Sequence, residues 1–211
     1  MAPGTPRVAV VDYGAGNLRS VAKALERSHL AVELCADAAA LRHYDALVLP
    51  GVGAFADAMA SLRAKGIDAA VREAIASGKP YLGLCLGLQV LFETSDEHGI
   101  TPGLALLPGR VERFPESHPF PVPHIGWNTV TWRGAHPMLG ALPREDVYYF
   151  VHSYRAVAAA PADWVGSVDY GGPFAAAVAR ENVFAVQFHP EKSQRAGKRL
   201  LDGFAAWLRT C

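Results

Sequence analysis

This chain has neither an excess of charge of one sign nor a long apolar run. Its 211 residues include 20 basic and 20 acidic side chains, so the formal net charge is zero. Proteins that bind nucleic acid or anionic membranes usually carry a basic excess, and we therefore expect neither partner. No apolar run approaches the roughly 20 residues that a membrane-spanning helix needs.

Cysteine is scarce as well, with three residues in the chain. Cys35, Cys85 and Cys211 are odd in number, far apart and without a C-x-x-C pair, which weighs against a disulfide framework and a zinc site. We expect no metal, no cofactor and a reducing compartment. The first residues lack the charged and apolar segments of a signal peptide, so the predicted location is the cytoplasm.

Apolar residues, by contrast, make up 51% of the chain. In the first half, short β-branched runs alternate with amphipathic helical segments, a pattern typical of a parallel sheet covered on both faces. After about residue 103 the chain is rich in proline, glycine and aromatic residues and contains several short strand-like runs. A closing amphipathic helix is predicted over 193–208. No repeat or linker divides the chain, so residues 1–211 are predicted to form a single domain with a mixed central sheet.

The segment 81–89, YLGLCLGLQ, places a cysteine between two glycines where a strand gives way to a helical pattern. This G-x-C-x-G arrangement is typical of a nucleophile elbow, whose flanking residues must be small. At a helix N-terminus, unpaired N–H groups favour the thiolate, so Cys85 is a candidate nucleophile. An isolated cysteine is also a common core residue, and the motif alone does not decide between the two interpretations.

The segment 188–191, FHPE, directly follows another predicted strand. His189 at the strand end can act as a general base, and Glu191 can fix its tautomer and orientation. A histidine in a surface turn is the alternative, and the elbow cysteine in the same chain favours the catalytic interpretation. We therefore predict a triad of Cys85, His189 and Glu191.

The glycine turn PGVG at 50–53 follows a third predicted strand. No Lys-Ser/Thr pair follows it, so a phosphate site is a weak interpretation, whereas an oxyanion hole suits a cysteine nucleophile. An ordinary βα turn remains the alternative. The predicted oxyanion residues are Gly51, Val52, Gly53 and Leu86.

Together these motifs resemble the class I, or triad-type, glutamine amidotransferases. The resemblance rests on GLCLGLQ at 83–89 and FHPE at 188–191. Other segments are similar to the glutaminase subunits of imidazole glycerol phosphate synthases. These segments are VDYGAGNL at 11–18, LPGVGAF at 49–55, PHIGWN at 123–128, YFVHSY at 149–154 and HPEKSQ at 189–194. They span nearly the whole chain.

The resemblance implies a three-layer, flavodoxin-like α/β fold. This fold has a mostly parallel central sheet, helices on both faces and a smaller antiparallel β region. It also implies that L-glutamine is the substrate, hydrolysed to glutamate and ammonia through a thioester on the cysteine. Gln89, one helical turn after Cys85, either bonds this polar substrate or is plain helix surface. The expected substrate-binding residues are Gln89, Tyr149 and His152.

Ammonia in neutral water is mostly protonated and therefore not nucleophilic, and this sequence shows no second site to consume it. The resemblance implies delivery to a cyclase subunit, a (β/α)8 barrel, in a heterodimer. That subunit forms imidazole glycerol phosphate and aminoimidazole carboxamide ribotide in histidine biosynthesis. The glycine turn is then expected to complete its oxyanion donor only when the cyclase is loaded.

Asn17, Trp127 and Lys192 are the expected residues of the partner interface, with Tyr149 nearby. Core packing is the alternative for the two aromatic residues, and a solvated charge is the alternative for Lys192. Alternative functions are a glutaminase of another amidotransferase, a non-catalytic relative and a cysteine hydrolase or peptidase. No role is predicted for His124, His136, Cys35 or Cys211.

Overall fold

The computed structural model describes residues 4–14, 16–158 and 160–211. Its α-helices are α1 Leu18–Glu26, α2 Phe55–Ala64, α3 Ile67–Ala76, α4 Leu86–Gln89 and α5 Gln194–Leu208. None of these helices, within the described residues, is long and apolar enough to cross a membrane. The strands are β1 Arg7–Val11, β2 Ala31–Cys35, β3 Ala46–Gly51, β4 Tyr81–Cys85, β5 Thr94–Ser95, β6 Thr101–Pro102, β7 Gly109–Arg113, β8 His124–Trp132, β9 Glu145–His152, β10 Tyr154–Ala158, β11 Trp164–Asp169, β12 Pro173–Arg180 and β13 Val183–Val186.

The large sheet has the strand order β2-β1-β3-β4-β13-β12-β11-β8-β9. The first five of these strands are parallel, and β12, β11, β8 and β9 extend the sheet in antiparallel pairs. A smaller sheet, β10-β7-β5-β6, is antiparallel except for the pair β5 and β7. In the parallel half, the carboxyl ends of β3, β4 and β13 are neighbours, and ligand sites of open α/β sheets lie at such ends.

Strand β1 shows how both faces of the sheet are covered. Val8 and Val10 belong to the core that α1 and α5 cover, whereas Ala9 and Val11 belong to the core that α2 and α3 cover. Successive side chains of a strand point to opposite faces, so a strand buried on both faces is apolar throughout. The α/β class predicted from the apolar runs is confirmed.

The helix after Cys85 is shorter than its sequence pattern suggests. α4 contains four residues, and the chain then tightens into i→i+3 turns, in which Leu91 N–H bonds to Leu88 and Phe92 N–H to Gln89. The helical segment before β4 divides into α2 and α3 at Gly66. Gly66 has φ 66°, a conformation that glycine adopts without steric cost.

Asn17 precedes α1, but its side chain does not cap this helix. The residue has φ 72° and ψ 4°, a left-handed conformation in which asparagine is enriched, and it makes no side-chain bond to the helix end. Its Nδ2 instead donates to Oε1 of Glu191, which is 174 positions further along the chain. The side chain therefore joins the Glu191 carboxylate to the start of α1.

Candidate active site

Cys85 ends β4 in a sharp turn that requires small neighbours. Its φ of 54° and ψ of −105° are unfavourable for a residue with a side chain, at a cost of about 1–3 kcal/mol. A Cβ on Gly83 would lie 2.9 Å from that of Ala185, and a Cβ on Gly87 would overlap the carbonyl of Leu49. The two glycines therefore permit the nucleophile-elbow geometry.

Parallel pairing of β4 with β13 brings the triad candidates to one edge of the sheet. Gln187, just beyond β13, donates from Nε2 to Sγ of Cys85 at 3.6 Å. His189 comes two positions later, and its N–H donates to the carbonyl of Tyr149 on β9 at 2.9 Å. The Ser193 hydroxyl donates to the carbonyl of His189 at 2.6 Å. These bonds hold the main chain from which the imidazole projects.

His189 and Glu191 form a buried pair, with Nδ1 2.8 Å from Oε1 and side chains only 3% and 1% exposed. The same oxygen accepts from Nδ2 of Asn17 at 2.7 Å. Burial opposes protonation of His189, but Cys85 and Glu191 outweigh it and raise the pKa of His189 to about 10. These neighbours therefore favour the doubly protonated imidazolium form of His189.

The other ring nitrogen of His189, Nε2, has no hydrogen-bond partner among the described residues. Cys85 nevertheless lies close enough to contribute to the raised pKa of the imidazole. Catalytic hydrogen bonds are often poorly aligned in a free enzyme and tighten once substrate is bound. The arrangement brings the three predicted catalytic side chains together with the Cys85–His189 contact still loose.

A cavity of about 400 Å³ opens at Cys85. Val52, Gly53 and Leu86 line it, and within the described chain no backbone acceptor takes their N–H groups. Gly51 lies inside β3 opposite Cys85 and does not line the cavity. N–H groups from the glycine turn and from the residue after the cysteine are therefore free to bond a ligand in this cavity.

The substrate-binding candidates occupy different positions around this cavity. Gln89 and His152 line it, whereas Tyr149 does not. Nε2 of Gln89 donates to the carbonyl of Tyr154 and to Oε1 of Gln187, both at 3.1 Å. Both ring nitrogens of His152 bond within the protein, so this ring has no free polar atom to offer a ligand.

Glu97 is a cavity residue that the sequence analysis missed. Its Oε2 accepts from the N–H of Phe55 at 2.7 Å, at the start of α2, while the other carboxylate oxygen has no bond within the described chain. The only sequence signal is an acidic residue eight positions after Gln89 in an irregular loop. Its approach to the cysteine depends on how that loop packs against α2, which no local pattern reveals.

The interface candidates do not line this cavity, but each contacts Tyr149 or Glu191. Trp127 is 48% exposed and packs edge-on against Tyr149, with ring centroids 5.8 Å apart. Lys192 is exposed, with Nζ 5.8 Å from the centre of the Tyr149 ring. Ile125 and Val147, also exposed, lie with Trp127 on the β8–β9 pair. Asn17 is half-buried on Glu191.

The residues without a predicted role lie in varied settings. Cys35 is buried and its thiol donates to the carbonyl of Asp37 at 3.4 Å, whereas Cys211 is exposed. His136 packs edge-on against Trp207, with ring centroids 4.7 Å apart. His124 is buried against His152. Across the described residues, no three His, Cys, Asp or Glu side chains are grouped to hold a metal ion.

Comparison of the whole chain with known proteins identifies its family. The sequence profile described as glutamine amidotransferase class-I matches residues 9–206. The imidazole glycerol phosphate synthase subunit HisH of Methylococcus capsulatus is 51% identical over 209 residues, covering 95% of this chain and 96% of the relative. Its counterpart in Desulfitobacterium hafniense strain DSM 10664 is 47% identical, covering 95% and 94%. This chain belongs to the HisH family of class I glutamine amidotransferases.

Solved structures agree with the HisH fold described above. The PurLQS structure from Thermotoga maritima superposes with a TM-score of 0.78 at 23% identity, covering 97% of this chain and 99% of that chain. A crystal structure of a glutamine amidotransferase gives a TM-score of 0.75 at 19% identity, covering 97% and 99%. At these identities the likeness concerns the fold alone. The predicted amidotransferase fold and the predicted family are both confirmed.

The His189–Glu191 contact predicts a titration result for this HisH chain. In Glu191→Gln the negative charge is lost while burial of the imidazole remains, so the pKa of His189 should fall from about 10. Titration of the His189 ring signals by NMR measures the change. Glu116→Gln, in an exposed loop, is the matched control and should leave the titration unaltered. An unchanged His189 titration in Glu191→Gln would contradict the proposed pairing.

Proposed function

We propose that this HisH chain hydrolyses L-glutamine at Cys85 and passes the ammonia to the cyclase subunit of imidazole glycerol phosphate synthase. The observation that carries the proposal is the Cys85 elbow, close to the buried His189–Glu191 pair, at the edge of a cavity of about 400 Å³. The family match supports the amide substrate. Because it extends over residues 9–206, it also supports a single domain at 1–211.

The proposed reaction has two halves. In the first, the Cys85 thiolate attacks the carboxamide carbon of glutamine, and His189 donates its proton to the departing ammonia. In the second, water attacks the resulting γ-glutamyl thioester while His189 accepts a proton, which restores the thiolate and releases glutamate. Glu191 holds the imidazole through Nδ1, so the proton is exchanged at Nε2. One glutamine and one water yield one glutamate and one ammonia.

Each tetrahedral intermediate places negative charge on the former carboxamide oxygen. The N–H of Leu86 and an N–H of the Val52–Gly53 turn line the cavity without backbone acceptors in the described chain, so we assign them as oxyanion donors. Gly51 contributes differently. A Cβ there would lie 2.8 Å from that of Leu86, so the glycine lets the turn approach the elbow.

Glu97 gives the cavity selectivity for an amino acid over a simple amide. Its free carboxylate oxygen can accept from the α-ammonium of glutamine, while Oε2 remains bonded to Phe55 N–H. A hydrogen bond to a charged group contributes about 1.5–3 kcal/mol. Such a contact would exclude carboxamides that lack the ammonium group.

Glu97→Gln tests this assignment with little change in shape. Loss of the charge should raise KM for glutamine by about 10- to 150-fold, since a bond to an ion contributes about 1.5–3 kcal/mol. Activity on glutaramate, which has no α-amino group, should not change. The assay is glutamate or glutarate release with the cyclase subunit present. Equal losses on both substrates would refute an ammonium contact and leave Glu97 only its bond to α2.

The ammonia must leave this cavity without meeting bulk water if it is to remain nucleophilic. An exposed apolar surface, Ile125, Trp127 and Val147 on the β8–β9 pair, lies beside the triad edge of the sheet and fits a docked subunit. HisH relatives are named as synthase subunits. We therefore propose a heterodimer with the (β/α)8-barrel cyclase at this surface and cytoplasmic activity of the complex.

Trp127 is the proposed anchor of that interface because large aromatic residues dominate such contacts. Trp127→Ala should weaken cyclase binding by at least about 2 kcal/mol, or roughly 30-fold in Kd. Calorimetric titration of the two subunits measures this. Leu34→Ala is the control, because Leu34 is similarly exposed but lies on β2 at the opposite edge of the sheet. Equal Kd values for Trp127→Ala and Leu34→Ala would place the interface elsewhere.

Cys85→Ser should abolish glutamate release, with a loss of at least about 10³-fold, because a serine hydroxyl is a far weaker nucleophile than a cysteine thiol. Cyclase binding should persist, since Cys85 is buried and is not one of the exposed residues of the docking surface. Cys35→Ser is the matched control and should retain activity. Glutamate release is measured with the chain alone and with the cyclase and its ribotide.

The same assay tests the dependence on the partner. We expect weak activity from the chain alone and strong stimulation by the loaded cyclase, as the oxyanion turn becomes complete. Equal rates in both states would remove that dependence while leaving the catalytic assignment intact. Full activity in Cys85→Ser would overturn the catalytic assignment itself.

A further inference from the structure

Two buried histidines, His124 and His152, lie opposite each other on β8 and β9. Nδ1 of His124 is 3.1 Å from Nε2 of His152, and Nδ1 of His152 is 2.8 Å from the carbonyl oxygen of Tyr154. The His124 ring also stacks on those of Phe150 and Tyr170, at 4.8 and 3.9 Å between centroids. Neither histidine has a part in the chemistry proposed above.

The contacts determine which nitrogen of each ring carries the proton. A carbonyl oxygen only accepts, so Nδ1 of His152 must donate to Tyr154, and a neutral ring then leaves Nε2 as an acceptor. His124 must therefore donate to it from Nδ1. The remaining nitrogen of His124, Nε2, lies 3.5 Å from Nδ2 of Asn128, which is a donor. Every nitrogen of the pair thus has a complementary partner.

Both rings are neutral at physiological pH, as this pattern requires. Burial is the main cause for each, and it lowers the pKa of His124 to about 4, with a further contribution from nearby His118. Burial also lowers the pKa of His152 to about 3; its bond to Tyr154 opposes this, and His124 and His189 add to the lowering. No carboxylate contributes to either shift.

The carbonyl that accepts from His152 also connects to the nucleophile. Tyr154 O accepts from Nε2 of Gln89 at 3.1 Å, and the same Nε2 donates to Oε1 of Gln187. Nε2 of Gln187 in turn donates to Sγ of Cys85. Because both N–H groups of the Gln89 amide are used, its Oε1 remains as the acceptor that a cavity ligand can bond.

We propose that His124 and His152 are positioning residues that fix the Tyr154 carbonyl and, through it, the orientation of the Gln89 amide in the glutamine subsite. This inference rests on the proposed glutaminase function. The Gln89 side chain can present its amide either way round, and only one orientation offers an acceptor to the amide or ammonium protons of glutamine. The histidine pair favours that orientation without offering the substrate a polar atom of its own.

Two substitutions at position 124 separate hydrogen bonding from packing. His124→Phe keeps a ring that can stack but has no donor, whereas His124→Asn loses the ring but keeps an N–H donor near the position of Nδ1. Wild type and both variants, each in complex with the cyclase, are treated with 6-diazo-5-oxo-L-norleucine, a glutamine-shaped reagent, and in a parallel experiment with iodoacetamide. The rate of inactivation is measured in each case. The first reagent reports recognition of glutamine, and the second reports the intrinsic reactivity of Cys85.

If positioning is the role, His124→Phe should raise KI for the diazoketone by about 10-fold, because the buried Nε2 acceptor of His152 loses its donor. Its iodoacetamide rate should stay within about twofold of wild type, and His124→Asn should recover most of the lost affinity. A greater loss in His124→Asn than in His124→Phe would show that the ring serves packing alone, and equal KI values in all three proteins would overturn the proposal.

A measurement on the unmodified protein avoids any dependence on folding of the variants. Nitrogen-15 spectra of the ring nitrogens at pH 7 should show both His124 and His152 protonated at Nδ1 only, and neither should titrate near pH 6.5. A proton at Nε2 of either ring would overturn the proposed positioning role of the two histidines. If wild-type protein reacts with iodoacetamide but not with the diazoketone, glutamine is not the substrate. The proposed glutaminase function and the positioning role that rests on it would then both be wrong.

Discussion

The parallel pairing of β4 with β13 is the constraint on which the rest of the site depends. Cys85 and His189 belong to distant segments of the chain, and they become neighbours because both follow adjacent strands at the same edge of the sheet. Each strand is buried on both faces, so the register is held by the cores above and below it. A slip of one residue would turn Cys85 into a core and remove the nucleophile from the cavity.

Strain at Cys85 is the local consequence of that placement. At the elbow the N–H of Leu86 has no backbone acceptor within the described chain, and Leu86 lines the cavity. The strained conformation of Cys85 costs about 1–3 kcal/mol. The turn also brings residue 87 against the backbone of Leu49, and only glycine leaves room for this contact. Gln89, the last residue of the short helix α4, bonds to the carbonyl of Tyr154 on β10.

The fold class and the three triad candidates were predictable because each of them is marked by a local sequence pattern. Apolar runs gave the parallel strands, and small residues around Cys85 and the strand-end position of His189 marked the elbow and the base. The contribution of Glu97 and the bond from Asn17 to Glu191 were not predictable, because both connect segments far apart in the chain. The helical pattern after Cys85 was misleading, since apolar periodicity does not reveal where tertiary packing ends a helix.

Two hydrogen-bond systems, one charged and one neutral, lie close to Cys85. Glu191 and Cys85 surround His189 with negative charge and raise its pKa, whereas His124 and His152 have no carboxylate beside them and burial keeps them neutral. Environments that separate the pKa values of like residues assign them different tasks. The charged system suits proton transfer at the reacting amide. The neutral one can order Tyr154 and Gln89 without adding a charge that would compete with His189 for the thiolate. Of the three buried histidines, only His189 has a carboxylate as its neighbour, and the other two therefore add no positive charge to this part of the interior.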